Sequence, residues 1–256
     1  MKAPKILLLD IETAPKLAYV WALYDQNISL NQLKSDSHIL SIACKWLGET
    51  EVYYKDQRNK KDISNDKDLL KFIWKFINQA DIIIMHNGDK FDIKKINTQF
   101  VIYDLDPLNH YRTIDTLKIA KKYFSFTSNK LEYLTNKLNK KYKKLNHAKF
   151  AGFELWKQCL NNNLSAWEEM KKYNIYDILS LEELYMTLRK WDNSINYNIF
   201  YEDLICECGS KSFKKNGIKT NNRGKFQRYK CNSCHKEFQG KTNMISKKVL
   251  DKLKFK

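Results

Sequence analysis

Asp10 and Glu12 in LLLDIETAP, Asp92 at the end of HNGDKFD and Asp177 at the end of YNIYD are four acids spread over three separated motifs. Carboxylates repel one another and are costly to gather away from water unless a cation holds them. A fold that brings these four together would suit hydrolysis of a phosphodiester by paired divalent metals. Tyr173 stands one helical turn before Asp177, so a phenol would share the face of that acid.

Each motif alone is weak. An Asp-x-Glu pair is common and gains meaning only after a buried strand, where alternation puts both side chains on one face. Asp92 alone also reads as an N-capping acid in a strand-to-helix loop that turns at Gly88. Phe91 is expected to anchor that turn in the core and so aim Asp92, and Asn87 and Phe91 are candidate substrate contacts. Asp89 is a rival carboxylate, but no apolar neighbour before it pins its backbone. Asp115 is a fifth acid, expected to cap its own helix. Tyr173 and Asp177 alone also read as surface residues.

The elements that must position these groups follow from hydrophobic spacing. Residues 5–12 read as a buried strand, and 38–48 and 50–56 as two more, joined near Gly48 in an antiparallel hairpin or meander. Apolar positions 69, 70, 73, 74 and 77 predict a helix over 66–80. A strand at 81–87 after that helix implies a parallel crossover. Helices are expected at 91–102, 128–139 and 153–160, and a short strand at 111–115 with a helix after it. A long helix runs from Ser165 to about Trp191, opened by a capping box over Ser165 to Glu168. This order predicts a mixed α/β sheet flanked by helices, followed by a polar, Asn-rich linker at 193–204.

Cys44 and Cys159 stand alone and read as buried small hydrophobes. Cys206-x-Cys208 and Cys231-x-x-Cys234, with 22 residues between the pairs, read as one tetrahedral zinc site in a module over 205–242. The first pair is one residue shorter than a C-x-x-C knuckle, which leaves His235 as an alternative ligand. A module this small lacks an adequate apolar core, so zinc would supply its folding energy. Its lysines and arginines, Arg228 and Lys230 among them, alternate with Phe213, Phe226 and Tyr229. These groups suit either a grip on phosphates and unstacked bases or ribbon packing with a solvated surface. A basic tail, 243–256, follows as a short helix or a frayed end.

The formal net charge is +17, and it is uneven. Residues 201–256 hold 15 Lys and Arg against 5 Asp and Glu, while the preceding 200 residues hold 31 against 24. An excess of this size suits an anionic polymer, or a solvated Lys-rich surface. No apolar run reaches the roughly 20 residues of a membrane span, and the four-residue ILLL near the start meets acids at once, unlike a signal peptide. No membrane partner is expected, and a cytoplasmic location is.

Taken in order, D-I-E at 10–12, N-x-x-x-F-D at 87–92 and Y-x-x-x-D at 173–177 resemble the three motifs of the DEDD superfamily of 3′-5′ exonucleases, which have the ribonuclease-H-like fold. The resemblance covers roughly residues 4–191. The third motif is similar to the tyrosine subclass, found in the proofreading domains of family B DNA polymerases; the histidine subclass would carry His at 172, where Lys172 stands. IDTLKIAKKYF at 114–124 is similar to compact stand-alone exonucleases of bacteriophages. The cysteine segment, with its Arg-Tyr-x-Cys-x-x-Cys ending, resembles the zinc ribbons of transposase-associated DNA-binding modules.

These resemblances imply a ribonuclease-H-like domain over 1–192 and one structural Zn²⁺ on Cys206, Cys208, Cys231 and Cys234. They imply two Mg²⁺ or Mn²⁺ ions on Asp10, Glu12, Asp92 and Asp177, with Asp10 shared between the ions. Tyr173 would orient the attacking water rather than deprotonate it, since a phenol pKa near ~10 makes a poor base at neutral pH. The implied substrate is a nucleic-acid 3′ end, single-stranded DNA favoured, released as 5′-mononucleotides. A replication or repair protein is a further partner, and the compartment is the host cytoplasm if the chain is phage-encoded. Two other classes stay open: a catalytically silent nucleic-acid-binding protein, and a structure-specific endonuclease on the same fold.

Overall fold

The structure, a computed structural model, describes residues 3–143 and 149–252. The chain forms two compact units. The first is residues 5–118 with 126–184; the second, among the described residues, is 3–4, 119–125 and 185–252.

The first unit is organised on a five-stranded sheet. Its elements are β1 (Ile6–Thr13), β2 (Leu17–Ala18), β3 (Leu33–Ser35), β4 (Ile39–Trp46), β5 (Tyr53–Asp56), α1 (Lys67–Ile77), β6 (Ile82–Met85), α2 (Asp92–Ile102) and β7 (Arg112–Asp115). They are followed by α3 (Thr116–Tyr123), α4 (Leu131–Leu138), α5 (Glu154–Leu160) and α6 (Leu164–Leu188). Strand order is β5-β4-β1-β6-β7. β4 pairs antiparallel with β1 and with β5, and β6 pairs parallel with β1 and with β7. The antiparallel meander and the parallel crossover expected from the sequence are both present, and the mixed sheet with flanking helices is ribonuclease-H-like.

The central strands are covered on both faces, which is why they read as unbroken apolar runs. Leu7, Leu9 and Ile11 of β1 join a core with Leu69, Leu70, Ile73 and Ile77 of α1 and Ile96 and Phe100 of α2. Alternation sends Asp10 and Glu12 to the opposite face. There Leu155 and Cys159 of α5 pack with Ala166, Trp167 and Met170 of α6 around Ala14 and Leu40. Cys44 and Cys159 are both free and fully buried, and burial pushes the Cys159 thiol up to about 12. They pack as small hydrophobes, as expected.

Two local expectations are corrected. The long helix opens at Leu164 and is capped by Asn163, whose Oδ1 accepts the Ser165 N–H at 3.0 Å. Ser165 therefore lies inside the first turn, and Glu168 pairs with Arg58 rather than closing a capping box. Phe91 is 37% exposed and does not enter the core. The turn before α2 is instead fixed by backbone: Asn87 takes a left-handed φ of 65° and donates its N–H to Asp115 at 2.8 Å. A Cβ on Gly88 would lie 2.3 Å from Met85 Cβ, so only glycine permits this close approach.

In the second unit β8 (Phe213–Asn221), β9 (Gly224–Cys231) and β10 (Glu237–Asn243) form an antiparallel sheet with β9 central. Phe213, Tyr229 and Phe238 pack on one another with ring centroids 5.3 to 5.8 Å apart. These rings hold the ribbon together, which favours the packing reading for Phe213 and Tyr229. Helix α7 (Lys247–Lys252) occupies part of the basic tail, whose last four residues lie outside the described residues.

Candidate active site

One ligand atom from each of Asp10, Glu12 and Asp177 lies within 4.8 Å of the others. Strand β1 presents the first two on one face, and α6 brings the third from 165 positions later in the chain. The register is broken by an irregularity between Glu12 and Thr13, a distortion of the kind that re-aims side chains next to active sites. Asp92 is not in that tight group. It opens α2 and its Oδ1 accepts the Ile11 N–H at 3.1 Å, which fixes it to the backbone between Asp10 and Glu12.

The electrostatics are those of crowded, buried acids. Burial raises the Asp10 carboxyl well above its usual range, and the charges of Asp92, Glu12 and Asp177 raise it further. Asp92 is pushed up to about 7, first by burial and also by Asp115, against the stabilising Ile11 N–H. Acids crowded this way repel one another, and an all-oxygen donor set suits a hard divalent cation.

Tyr173 reaches the same place. Burial raises its phenol strongly, and the charges of Asp177, Glu12 and Asp10 and a hydrogen bond to Asp177 add to the shift. Its hydroxyl is therefore neutral at physiological pH and acts as a donor.

Three supporting residues were not legible as site residues. Asn174 Nδ2 donates to Asp10 Oδ2 at 2.5 Å, and Ser41 Oγ donates to Asn174 Oδ1 at 3.1 Å. Both side chains are buried, so the amide has one way to face. Trp156 Nε1 donates to Glu12 Oε2 at 3.1 Å, and its ring meets Tyr173 edge-on at 6.0 Å. Such outer contacts orient ligating carboxylates, and losing one typically costs about 10–100-fold in metal affinity or activity. Asn174→Ala is expected to weaken Mn²⁺ binding by about that factor and to lower the melting temperature as well, because Asp10 and Ser41 lose a buried partner. Calorimetric titration of Mn²⁺ into both proteins checks this; equal affinities would remove Asn174 from the site.

The remaining candidates are dispersed. Asn87 is committed through its backbone to Asp115, which also accepts the Leu117 N–H at 2.9 Å and so caps α3 as expected. Asp89 forms an ion pair with Lys118, which removes it as a rival. Arg228 donates to the Asn216 carbonyl at 2.7 Å within the ribbon, and Lys230 lies opposite Glu237 in the β9–β10 register.

The second unit carries its own cluster. The sulfurs of Cys206, Cys208, Cys231 and Cys234 all lie within 4.8 Å of one another. Cys206 to Cys234 is 3.6 Å and Cys208 to Cys231 is 3.7 Å. Disulfide sulfurs would be about 2.05 Å apart, whereas tetrahedral thiolates on zinc with bonds of about 2.3 Å lie about 3.8 Å apart. The cluster is complete without His235, which is exposed at a left-handed φ of 62°. The short C-x-C knuckle turns at Gly209, whose φ is 84°, with its N–H on the Cys206 carbonyl at 2.8 Å. Burial acts to raise Cys231, but N–H groups of Cys234 and Ser233 overcome it and hold the thiol at about 6.

No curated protein matches the sequence. Among solved structures, the family B DNA polymerase from the hyperthermophilic archaeon Pyrobaculum calidifontis is similar in fold, with a TM-score of 0.52 and 13% identity over 73% of this chain. The matched part is 25% of that polymerase, so this chain corresponds to about a quarter of its length. A family model described as the RNase_H superfamily matches residues 7–189, the span that holds β1, α2 and α6 with all four acids. The chain belongs to the RNase_H superfamily, and its architecture is that of a nuclease.

Proposed function

We propose that this protein is a metal-dependent 3′-5′ exonuclease that releases 5′-mononucleotides from single-stranded ends, DNA in preference to RNA. One observation carries the reading. Three carboxylates crowd within 4.8 Å, a fourth is tied to the strand between two of them, and a neutral phenol hydrogen-bonds the third. The fold likeness to a family B DNA polymerase supports it, as do the three motifs in order.

Asp10, Glu12 and Asp177 would hold one divalent cation and Asp10 with Asp92 a second, either Mg²⁺ or Mn²⁺. Bound there, the cations supply positive charge that lowers the pKa of the attacking water and stabilises the leaving 3′-oxygen. Asn174 and Trp156 hold Asp10 and Glu12 in their ligating orientations. Tyr173 orients the water through its hydroxyl. Tyr173→Phe is expected to lower turnover by about 10- to 100-fold with little change in KM, because the ring and its packing stay. Steady-state kinetics on a defined single strand check this; unchanged turnover removes the hydroxyl from the reaction.

The four cysteines suit one structural zinc, and the basic ribbon with Arg228 and Lys230 suits a phosphate grip on the substrate. Asn87 and Phe91, next to Asp92, are proposed to contact the terminal nucleotides. The test is incubation with 3′- and 5′-labelled single strands of DNA and RNA, with and without Mn²⁺. Mononucleotides shed from the 3′ end support the proposal. Internal cuts would assign the structure-specific endonuclease instead, and no cleavage the silent binding protein.

A further inference from the structure

Between Glu12 and β4 the chain leaves the sheet and makes a flap. Its base is the short ribbon of β2 and β3, in which Leu17 pairs with Ser35 and Ala18 with Leu33. The flap is closed by its own groups. The Tyr19 N–H donates to the Gln32 carbonyl at 2.9 Å, and Gln32 Nε2 returns a bond to the Tyr19 carbonyl at 3.0 Å. Gln26 Oε1 accepts from the N–H groups of Trp21 and Ala22 at 3.2 and 3.3 Å. These bonds preset the backbone, yet the side chains point to water: Trp21 is 96% exposed, Tyr24 82% and Tyr19 67%. Three rings held out this way are costly unless something covers them.

A groove of about 500 Å³ runs along the base of this flap. Lys16 and Ser35 form one wall, and Lys90, Lys94 and Lys95 at the start of α2 form the other. That helix begins with Asp92, and the flap leaves the end of β1 two residues after Glu12, so the groove's two walls both lie close in sequence to acids of the site. His38 lies in the lining and is 8% exposed, with the Asp36 backbone against its ring.

We propose that the groove and the flap together hold an unpaired nucleic-acid strand, with the lysines on its phosphates and Tyr19, Trp21 and Tyr24 stacked on its bases. The inference rests on the exonuclease reading and extends it, assigning strand grip within the first unit itself. Charge decides the occupant: lysines along the groove and exposed rings on the flap that forms one of its walls match a polyanion with flat apolar bases, and Asp36, held low by its Ser37 and Lys16 contacts, is the acid that offsets Lys16. The ribbon's Phe213 and Tyr229 are packed on each other, whereas the flap's rings are open to stack.

Binding of a short labelled DNA strand, read by fluorescence anisotropy in a chelator so that no cleavage occurs, tests this on the full chain. A Trp21→Ala/Tyr24→Ala variant is expected to bind about tenfold or more weaker, at an unchanged melting temperature because both side chains are exposed. On a strand of the same length without bases, the variant and the wild type are expected to bind equally. Lys94→Glu/Lys95→Glu is expected to weaken both strands alike and to flatten the salt dependence. Equal affinity of the flap variant for the normal strand overturns the proposal, as does an equal loss on the abasic strand. A shift of the wild type alone to a dimer in gel filtration would assign the flap to a second copy and also overturn it. Failure here leaves mononucleotide release by the wild type intact, whereas failure of the exonuclease reading shows as absent release with strand binding retained.

Discussion

Asp10→Asn is expected to lower nucleotide release by about 10³-fold or more and, at the same time, to raise the melting temperature of the metal-free protein. Cations that stabilise a transition state by several kcal/mol account for a rate factor of this size. The stability gain has the opposite origin. Asp10 is buried among Asp92, Glu12 and Asp177, so an ionised carboxylate there is repelled without metal. Asparagine keeps the shape and an oxygen for the Asn174 amide, and removes the charge.

The sign of the pH dependence follows from the same crowding. Asp92 titrates at about 7 in the folded protein and near ~3.9 in an unfolded chain, and Asp10 is raised as well. Between those values the folded protein retains protons that the unfolded chain releases, so the site's contribution to stability falls as pH rises from about 4 to about 7. Metal requires the deprotonated form and reverses this at the upper end. Melting curves of wild type and Asp10→Asn across that window, with and without Mn²⁺, should therefore differ in two ways. The variant loses the part of the downward slope that Asp10 contributes and keeps the part set by the buried Asp92, and it loses the Mn²⁺-induced rise at pH 7 and above. Identical slopes and identical Mn²⁺ shifts would mean that these acids do not share a cation.

Much of the arrangement was legible in the residues, for identifiable reasons. β1, β4 and β6 are short apolar runs, and α1 has a full amphipathic period, so local spacing sufficed. Asp10 and Glu12 were placed on one face by alternation alone. What escaped was set by tertiary contacts. Trp156 meets Glu12 across 144 positions, and nothing local marks an indole for that task. Asn174 did leave a trace. It sits midway between Met170 and Ile178 on the buried stripe of α6, where a polar residue is costly unless partnered. Phe91 misled because an aromatic after a buried strand usually packs inward; here the turn is set by backbone, with Asn87 at a left-handed φ and Gly88 against Met85, and the ring stays 37% exposed. The flap between residues 19 and 30 has no periodicity, since its large apolar side chains, such as Trp21, Leu23 and Leu30, face outward and obey no core.

Withdrawal of zinc is the other change expected to have a large effect, and it separates the two units. The ribbon of β8, β9 and β10 buries little besides three packed rings and the cysteines, too small a core to hold a chain of this length. Metal binding in small finger peptides supplies on the order of 10 kcal/mol, more than such a ribbon can replace. One tightly held zinc per chain is expected by elemental analysis. Cys231→Ser, or a strong chelator, should open residues 205–242 to protease while the first unit melts at its usual temperature and still sheds mononucleotides. Affinity for a long single strand should fall and its salt dependence flatten, as Arg228, Lys230 and their neighbours lose their fixed positions. The first unit can survive because its sheet and the two cores described above are made of its own residues, none of them a metal-binding cysteine. A ribbon that stays protease-resistant in chelator, with no zinc found, would mean that the four thiols are held by packing and that the 3.6 and 3.7 Å sulfur separations reflect crowding rather than a tetrahedral site.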